Sequence, residues 1–350
     1  MLTEKDEKKT FFGKSRAKEL GGSTANQVTK VKYKEGIGEG DTQQGFWKVG
    51  TADGAAANMV GSNKEVGQSR TRASKKDPSK TIMTPDTELK AAEDPRMGAR
   101  AVASSRLDKA LGTNVLADEA FAERNGQLGN VSAQVPGRAL VENKNDKDGK
   151  LLSQNYGDVA AGNDPAYQRS MSDLAVVDYL SGQVDRHGGN IFYDPATGGG
   201  VKGIDNDLAF GQWNHQNDKG LCYGNGLDAL PKQIDAETAG VIRDMTEDEF
   251  RASIAPRPGD PQSLAPAEID KTLERFRTLK LHIAGLEKQG ALIQQWDDQT
   301  FADACNDPTG TYIGRQVDQV KSTKGTGNSA QDSVTTIPKA DPKKAKFKKR

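Results

Sequence analysis

Apolar and polar residues alternate over Val28-Thr-Lys-Val-Lys-Tyr-Lys34, the period-two mark of a half-buried strand. Gly36-Ile-Gly-Glu-Gly40 interrupts it, and Gly45-Phe-Trp-Lys-Val-Gly50 reads as a second strand. Together they predict a hairpin with a glycine-rich loop. From Met97 the period changes. Ala99, Val102, Ala103, Arg106, Leu107, Ala110 and Leu111 fall at helical spacing, and Gly112 is placed to end the helix. Residues 114–123 then read as a strand, Asn125-Gly126 as a tight turn, and 128–135 as the returning strand before Pro136-Gly137.

The second half has a different rhythm. Met171, Leu174, Ala175, Asp178 and Tyr179 lie on a helix starting near Pro165. Short strands at 191–193 and 201–204 flank a turn, and 211–230 is rich in loop residues. Thr246-Glu-Asp-Glu249 fits a capping box. Ile269, Leu273, Phe276, Leu279, Ile283 and Leu286 form an amphipathic stripe, and Leu292, Ile293 and Trp296 suggest one more helical piece. The order is strands around one helix, then a mainly helical half with a small hairpin. This is an α+β chain of two lobes, at 28–140 and 141–305. The cleft between such lobes is the default ligand site.

Polar stretches complete the plan. Residues 1–27 read as disordered, 60–96 as a polar insertion, 141–164 as a connector and 306–350 as a flexible basic tail. Asp146-Lys-Asp-Gly149 is no calcium loop, because Lys144 and Asn155 stand where acids are required.

Composition narrows the classes. The 350 residues carry 49 basic and 49 acidic side chains, which argues against dedicated nucleic-acid binding. Cys222 and Cys305 cannot build a disulfide framework or a four-thiolate zinc site. No apolar run reaches 18 residues, so no transmembrane segment is expected, and the charged start is unlike a secretory signal. A cytoplasmic protein, or one exported by a signal-independent route, is the expectation.

The chemistry concentrates in two segments: Val184-Asp185-Arg186-His187-Gly188-Gly189-Asn190-Ile191, and Gly203-Ile204-Asp205-Asn206-Asp207-Leu208. The hairpin between them returns its ends to one place. Asp185, Asn190, Asp205 and Asp207 can therefore converge. Hard oxygen donors at this density suit Mg2+ or Mn2+. A metal on two or three of them, with a further Asp for the nucleophile, is what phosphoryl transfer needs. Arg186 and His187 are candidate donors to the transferring phosphate, or Arg186 is a brace paired with an acid. Cys222, His215 and His282 belong to no comparable cluster; His282 reads as a packing residue.

Asp-Arg-His-x-x-Asn followed twenty residues later by Ile-Asp resembles the catalytic and metal-binding loops of the phosphatidylinositol 3-/4-kinase-like atypical kinases. HipA-like and bacterial effector kinases have related loops. The match covers about residues 170–212. The resemblance implies a two-lobed protein-kinase-like fold, with a small β-rich N-lobe and a larger mainly helical C-lobe. ATP and Mg2+ (or Mn2+) would be the cofactors. It gives Asp185 the acceptor hydroxyl, Asn190 and Asp205 the metal, and His187 a contact to the γ-phosphate. The family has Asp-Phe-Gly or Asp-Leu-Gly where this chain has Asp205-Asn206-Asp207, so Asp207 is an added acid: a second metal ligand or a turn cap.

A kinase also needs a strand lysine for the nucleotide phosphates. Lys48 fits best, with Glu93 or Glu88 as its partner acid. Gly36, Gly38 and Gly40 either cradle phosphates or form a plain hairpin turn. Residues 211–232 hold Lys219 and Lys232 against Asp218 and Asp228, a balance offering little to a polyanionic headgroup. That favours a protein acceptor over a phosphoinositide. The other readings are a phosphoinositide kinase and a non-catalytic nucleotide-binding or partner-binding module. The resemblance also admits an effector acting in a host cell, and an activating partner.

Overall fold

The computed structural model describes residues 1–3, 5–7, 18–22, 27–50, 70–73, 81–84, 96–145, 151–155, 164–183, 185–195, 198, 200–210 and 230–317. The first lobe is an antiparallel sheet in the order β1-β2-β3-β7-β6, formed by β1 (Lys18–Gly22), β2 (Gln27–Lys32), β3 (Gln44–Val49), β6 (Glu119–Arg124) and β7 (Gln127–Ala133). Alternation sorts its faces. Val31, Trp47, Val131 and Ala122 share one small core, while Phe46 and Lys48 face the opposite way. Asn125 and Gly126 both take positive φ (50° and 71°), as the tight β6–β7 turn requires. Helix α1 (Met97–Leu111) ends at Gly112 in the left-handed conformation, with its N–H on the carbonyls of Asp108 and Lys109. It is buried on most sides, because it packs on both the sheet and the second lobe.

The second lobe is larger and mainly helical. Asp164 accepts from the Ala166 N–H to start α2 (Pro165–Ser181), and Gly182 (φ 64°) ends it. A short sheet follows in the order β12-β11-β8, from β8 (Arg138–Ala139), β11 (Ile191–Tyr193) and β12 (Val201–Gly203). Then come α3 (Ala236–Asp244), α4 (Glu247–Ile254), α5 (Pro266–Lys288) and α6 (Asp298–Cys305). The capping box at Thr246–Glu249 forms as its residues predict. Phe250 and Phe276 stack at 4.1 Å in the main core. The lobes meet at the 134–137 segment and through backbone bonds from Ala117 N–H to Gly203 O (2.9 Å) and Gly203 N–H to Val115 O (2.7 Å).

Four polar stretches hold more structure than their composition suggests. Within 1–27, β1 pairs with β2, and Leu2 bridges to Ala122 at the β6 edge. Glu7 is buried against Arg124. The insertion carries a hairpin of β4 (Arg70–Ala73) and β5 (Thr81–Thr84), and the 141–164 connector one of β9 (Val141–Asn145) and β10 (Leu151–Asn155). Backbone pairing makes such strands, so a polar sequence does not announce them. The segment 306–317, expected in the flexible tail, puts Tyr312 and Ile313 into the main core. Residues 292–296 are not helical: Ile293 bridges to Asp235, and the Trp296 indole donates to Asp235 Oδ2 at 2.9 Å. The segments 211–229 and 318–350, and with them Cys222, His215, Lys219, Asp218 and Asp228, lie outside the described residues. Among the described residues no helix is long and apolar enough to cross a membrane.

Candidate active site

A cavity of about 390 Å³ opens between the lobes. Val28, Phe46 and Lys48 roof it, Val135 lies at the back, and Phe192 and Ile204 form the floor beside Asp205. The size suits a small-molecule ligand; Lys48 and Asp205 line one end, with Lys30, Ser132 and Gln134 further along.

At that end the two halves of the sequence meet. The Lys48 ammonium contacts Asp205 Oδ1 and lies 3.5 Å from Asp207 Oδ2. Sequence position alone left Lys48 free to face solvent; the structure turns it into the cleft, 13% exposed. Asp205 has φ 63°, a left-handed conformation uncommon outside glycine, and Asp207 follows in a 3₁₀ turn at Asn206–Leu208. Asp207 points at Lys48 and makes the site's second carboxylate contact to it.

The loop before β11 supplies the rest. His187 Nδ1 accepts from the Gly189 N–H (3.0 Å), leaving Nε2 as the proton-bearing nitrogen, 4.0 Å from Asp185 Oδ1. The Asn190 amide donates to the Asp185 carbonyl at 2.9 Å, which fixes the turn. Among the described residues no donor reaches its carboxamide oxygen.

Arg186 is the brace, not a phosphate donor. All five of its N–H groups are engaged inside the protein. Nε and Nη2 hold Asp178 at 2.8 and 3.0 Å, and Nη2 also reaches Asn206 Oδ1 at 2.5 Å. Nη1 reaches the carbonyls of Asn190 (3.1 Å) and Ile204 (2.6 Å). Gly36, Gly38 and Gly40 also lie elsewhere. In the β2–β3 pair Val28 faces Lys48 and Lys32 faces Gln44, so the glycine loop leaves from the end remote from Lys48. Its glycines have local reasons. A Cβ on Gly36 would lie 1.8 Å from Gly40 O, and one on Gly38 (φ 65°) 2.8 Å from Glu119 O.

Glu93 and Glu88 lie outside the described residues. The one acid on α1, Asp108, is turned away, holding the N–H groups of Val115 (2.9 Å) and Leu116 (3.0 Å). The buried acid on the lysine's face of the sheet, among the described residues, is Glu119 on β6. Asn130 pairs across from Lys48 on β7 and donates to Glu119 Oε2 at 2.8 Å. Sequence reading passed over Glu119. Its signal was a charged residue at an inward strand position, in register with Phe121.

Electrostatics here are crowded. Burial opposes the charge on Lys48, yet Asp205 and Asp207 hold it protonated, above the usual lysine range. Asp205 is held below the usual carboxylate range by Lys48, despite burial. Burial, with the charges of Asp205 and Asp185, pushes Asp207 up to about 7. Burial, then Asp205, does the same to Asp185. Burial, then the Asp207 charge, raises Glu119 to about 7; burial, then the Arg186 charge, keeps His187 low. Asp173, in the second lobe, also reaches about 7 through burial and Asp235.

These shifts set a pH dependence. A carboxyl whose folded pKa exceeds its unfolded one stabilises the fold below the unfolded value. That contribution is lost as pH rises through about 7. Asp185, Asp207, Glu119 and Asp173 all act in this direction. His187, held low, opposes them once. Asp205 and Lys48 do not titrate between pH 6 and 8. The Tm in EDTA is therefore expected to fall by roughly several degrees from pH 6 to pH 8, read by scanning calorimetry. A flat or rising Tm would contradict the crowding.

The donor set fits a divalent cation. Lys48 already places a positive charge between Asp205 and Asp207, which is where a cation is wanted. Among the described residues no three His, Cys, Asp or Glu side chains close into a protein-only cage. Mg2+ needs none, since it takes one or two carboxylates and completes its shell with water and substrate phosphates. Asp205, Asp207 and the Asn190 oxygen are the residues that would hold it.

The site also rests on α1. Arg100, buried, donates to the Ala209 carbonyl just past Asp207 and pairs with Glu268 at the start of α5. Arg106 pairs with both oxygens of Asp260 at 2.6 and 2.9 Å. The helix is thus tied to the second lobe at two places.

No protein-family model and no curated protein sequence matches the chain. Solved structures do resemble it in overall shape. One is the Golgi casein kinase with Mn/ADP bound (12% identity, TM-score 0.43, covering 81% of this chain and 76% of that one). A second is hydra Fam20 with sugar (10%, 0.42, 79% and 89%). A third is the Helicobacter pylori proinflammatory kinase CtkA (12%, 0.42, 84% and 99%). At this level of identity and superposition the likenesses assign neither a family nor an activity.

Proposed function

We propose that the chain is an ATP-dependent phosphotransferase of the atypical type its Asp185–Asn190 and Ile204-Asp205 segments resemble, with a protein Ser or Thr hydroxyl as acceptor. One observation carries the reading. Lys48, from a strand of the first lobe, meets Asp205 and Asp207 of the second at one end of the cleft between them. A scaffold has no use for a buried lysine set on two carboxylates at a cavity mouth.

The residues divide the work. The apolar roof and floor take the base, and Lys48 takes nucleotide phosphate oxygens once drawn off Asp205. A divalent cation, when bound, offsets phosphate charge. Asp185 accepts the proton of the attacking hydroxyl. The hydroxyl oxygen bonds to the γ-phosphorus as the bond to the β–γ bridging oxygen breaks, and ADP leaves. A pKa near 7 suits Asp185 to that task. His187 Nε2–H can donate to the transferring group. The charge balance of 211–232 supports a protein acceptor.

The test is transfer from γ-labelled ATP with Mg2+ or Mn2+, offered protein mixtures and, separately, phosphoinositide vesicles. Label in protein is expected. Label in lipid alone would move the acceptor assignment. Absence of ATP binding by calorimetry would overturn the reading.

A further inference from the structure

Tyr312 lies beyond α6, far in sequence from the candidate catalytic loops, yet its hydroxyl donates to Asp178 Oδ2 at 2.7 Å. It is 3% exposed, and Asp178 is 2% exposed. Asp178 is the carboxylate that grips Arg186, and Arg186 grips both loops: the Asn190 carbonyl on one side, the Ile204 carbonyl and the Asn206 side chain on the other. One buried chain of hydrogen bonds thus runs from the 311–317 segment to the residues flanking Asp185 and Asp205.

The segment that carries Tyr312 is itself fixed. The Thr311 hydroxyl donates to the Ala304 carbonyl of α6 at 2.8 Å and accepts from the Gly314 N–H at 3.0 Å. Gly314 sits so close that a Cβ there would lie 2.4 Å from the Ala304 and Asp307 oxygens. The phenol therefore reaches Asp178 from a rigid platform.

We propose that Tyr312 is a positioning residue of the active site, acting through Asp178 and Arg186 to hold the Asp185 loop and the Asp205 loop in mutual register. This rests on the phosphotransferase reading for its kinetic consequence, though not for its structural one. Asp178 Oδ2 accepts from both Arg186 Nε and Tyr312. Without the phenol the carboxylate can rotate, and the guanidinium fork that follows it loses its fixed plane. The two loops then sample separations at which a hydroxyl near Asp185 and a phosphate near Asp205 are out of line. Misplacement of this kind costs turnover more than binding.

Tyr312→Phe keeps the ring and removes only the hydroxyl. The expected result is a kcat lower by about ten-fold with the KM for ATP within about two-fold. Hydrogen exchange should quicken at amides 187–190 and 204–208, while amides in the middle of α5 keep their protection. Titration with Mn2+ alone, without nucleotide, should show weaker binding than wild type. Asp178→Asn should mimic the defect more severely, and adding Tyr312→Phe to it should cost little more. If Asp178→Asn does not fold, Tyr312→Phe alone decides. Unchanged exchange and kcat would overturn the proposal, as would quickened exchange spread evenly over the second lobe. If wild type transfers no phosphate, the functional reading fails, and the exchange and Mn2+ measurements still decide the brace.

Discussion

Asp205→Asn is expected to abolish phosphoryl transfer, by at least about 10³-fold or about 4 kcal/mol in the barrier, while leaving the protein folded. The two halves of that expectation have one cause. Asp205 sits in a cluster where burial already disfavours charge, and its own charge raises both Asp207 and Asp185. Neutralising it removes repulsion at the same time as it removes the carboxylate placed to hold a metal against the phosphates. Lys48 keeps a partner in Asp207, 3.5 Å away. Because Lys48 favours the charged form of Asp205, loss of that charge should lower the Tm in EDTA at pH 8 only modestly, and the fall in Tm between pH 6 and 8 should shrink. Transfer assays and calorimetry on the same preparation check this. An unfolded variant would show instead that Asp205 is mainly a structural anchor for its turn.

Lys48→Met should move two measurements in opposite directions. Transfer should fall by about 10²-fold or more, because among the described residues of the first lobe no other cation pairs with Asp205 or Asp207. Mn2+ binding without nucleotide should tighten by about ten-fold. Charges about 4 Å apart at an effective dielectric near 20 interact by about 4 kcal/mol, and even a third of that, left after desolvation, is a factor of ten. Lys48 and a divalent cation compete for Asp205 and Asp207, so removing one favours the other. Calorimetric titration with Mn2+ reads this directly. Weaker binding in the variant would mean that Lys48 shapes the acid pair more than it competes for it.

Local pattern made much of this molecule legible. The α1 boundaries, the Gly112 cap, the β6–β7 turn and the strand at 191–193 follow from period and turn chemistry acting over a few residues. So does the convergence of Asp185, Asn190, Asp205 and Asp207, since a hairpin must bring its ends together. What did not show depends on register and on distance. Gly36–Gly40 offered either a phosphate cradle or a plain hairpin turn, and only the pairing of Val28 with Lys48 tells which end of the strands the loop occupies. Glu119 reaches the lysine's neighbourhood across two strands. Asp178 and Tyr312 are 134 residues apart. Arg186 presented two readings, and only the arrangement of five acceptors around it decides between them.

The bridge from Leu2 to Ala122 has a further meaning. Leu2 donates to Phe121 O and accepts from the Glu123 N–H, each at 2.9 Å, along the outer side of β6. An outermost strand exposes a row of unsatisfied amides that another chain can extend, the usual opening for fibrils and swapped dimers. Leu2 occupies the middle of that row from within the same molecule, and Glu7 pairs with the Arg124 side chain at the strand's end. The strand that lends Glu119 to the cleft is thereby kept from serving as a seam between copies.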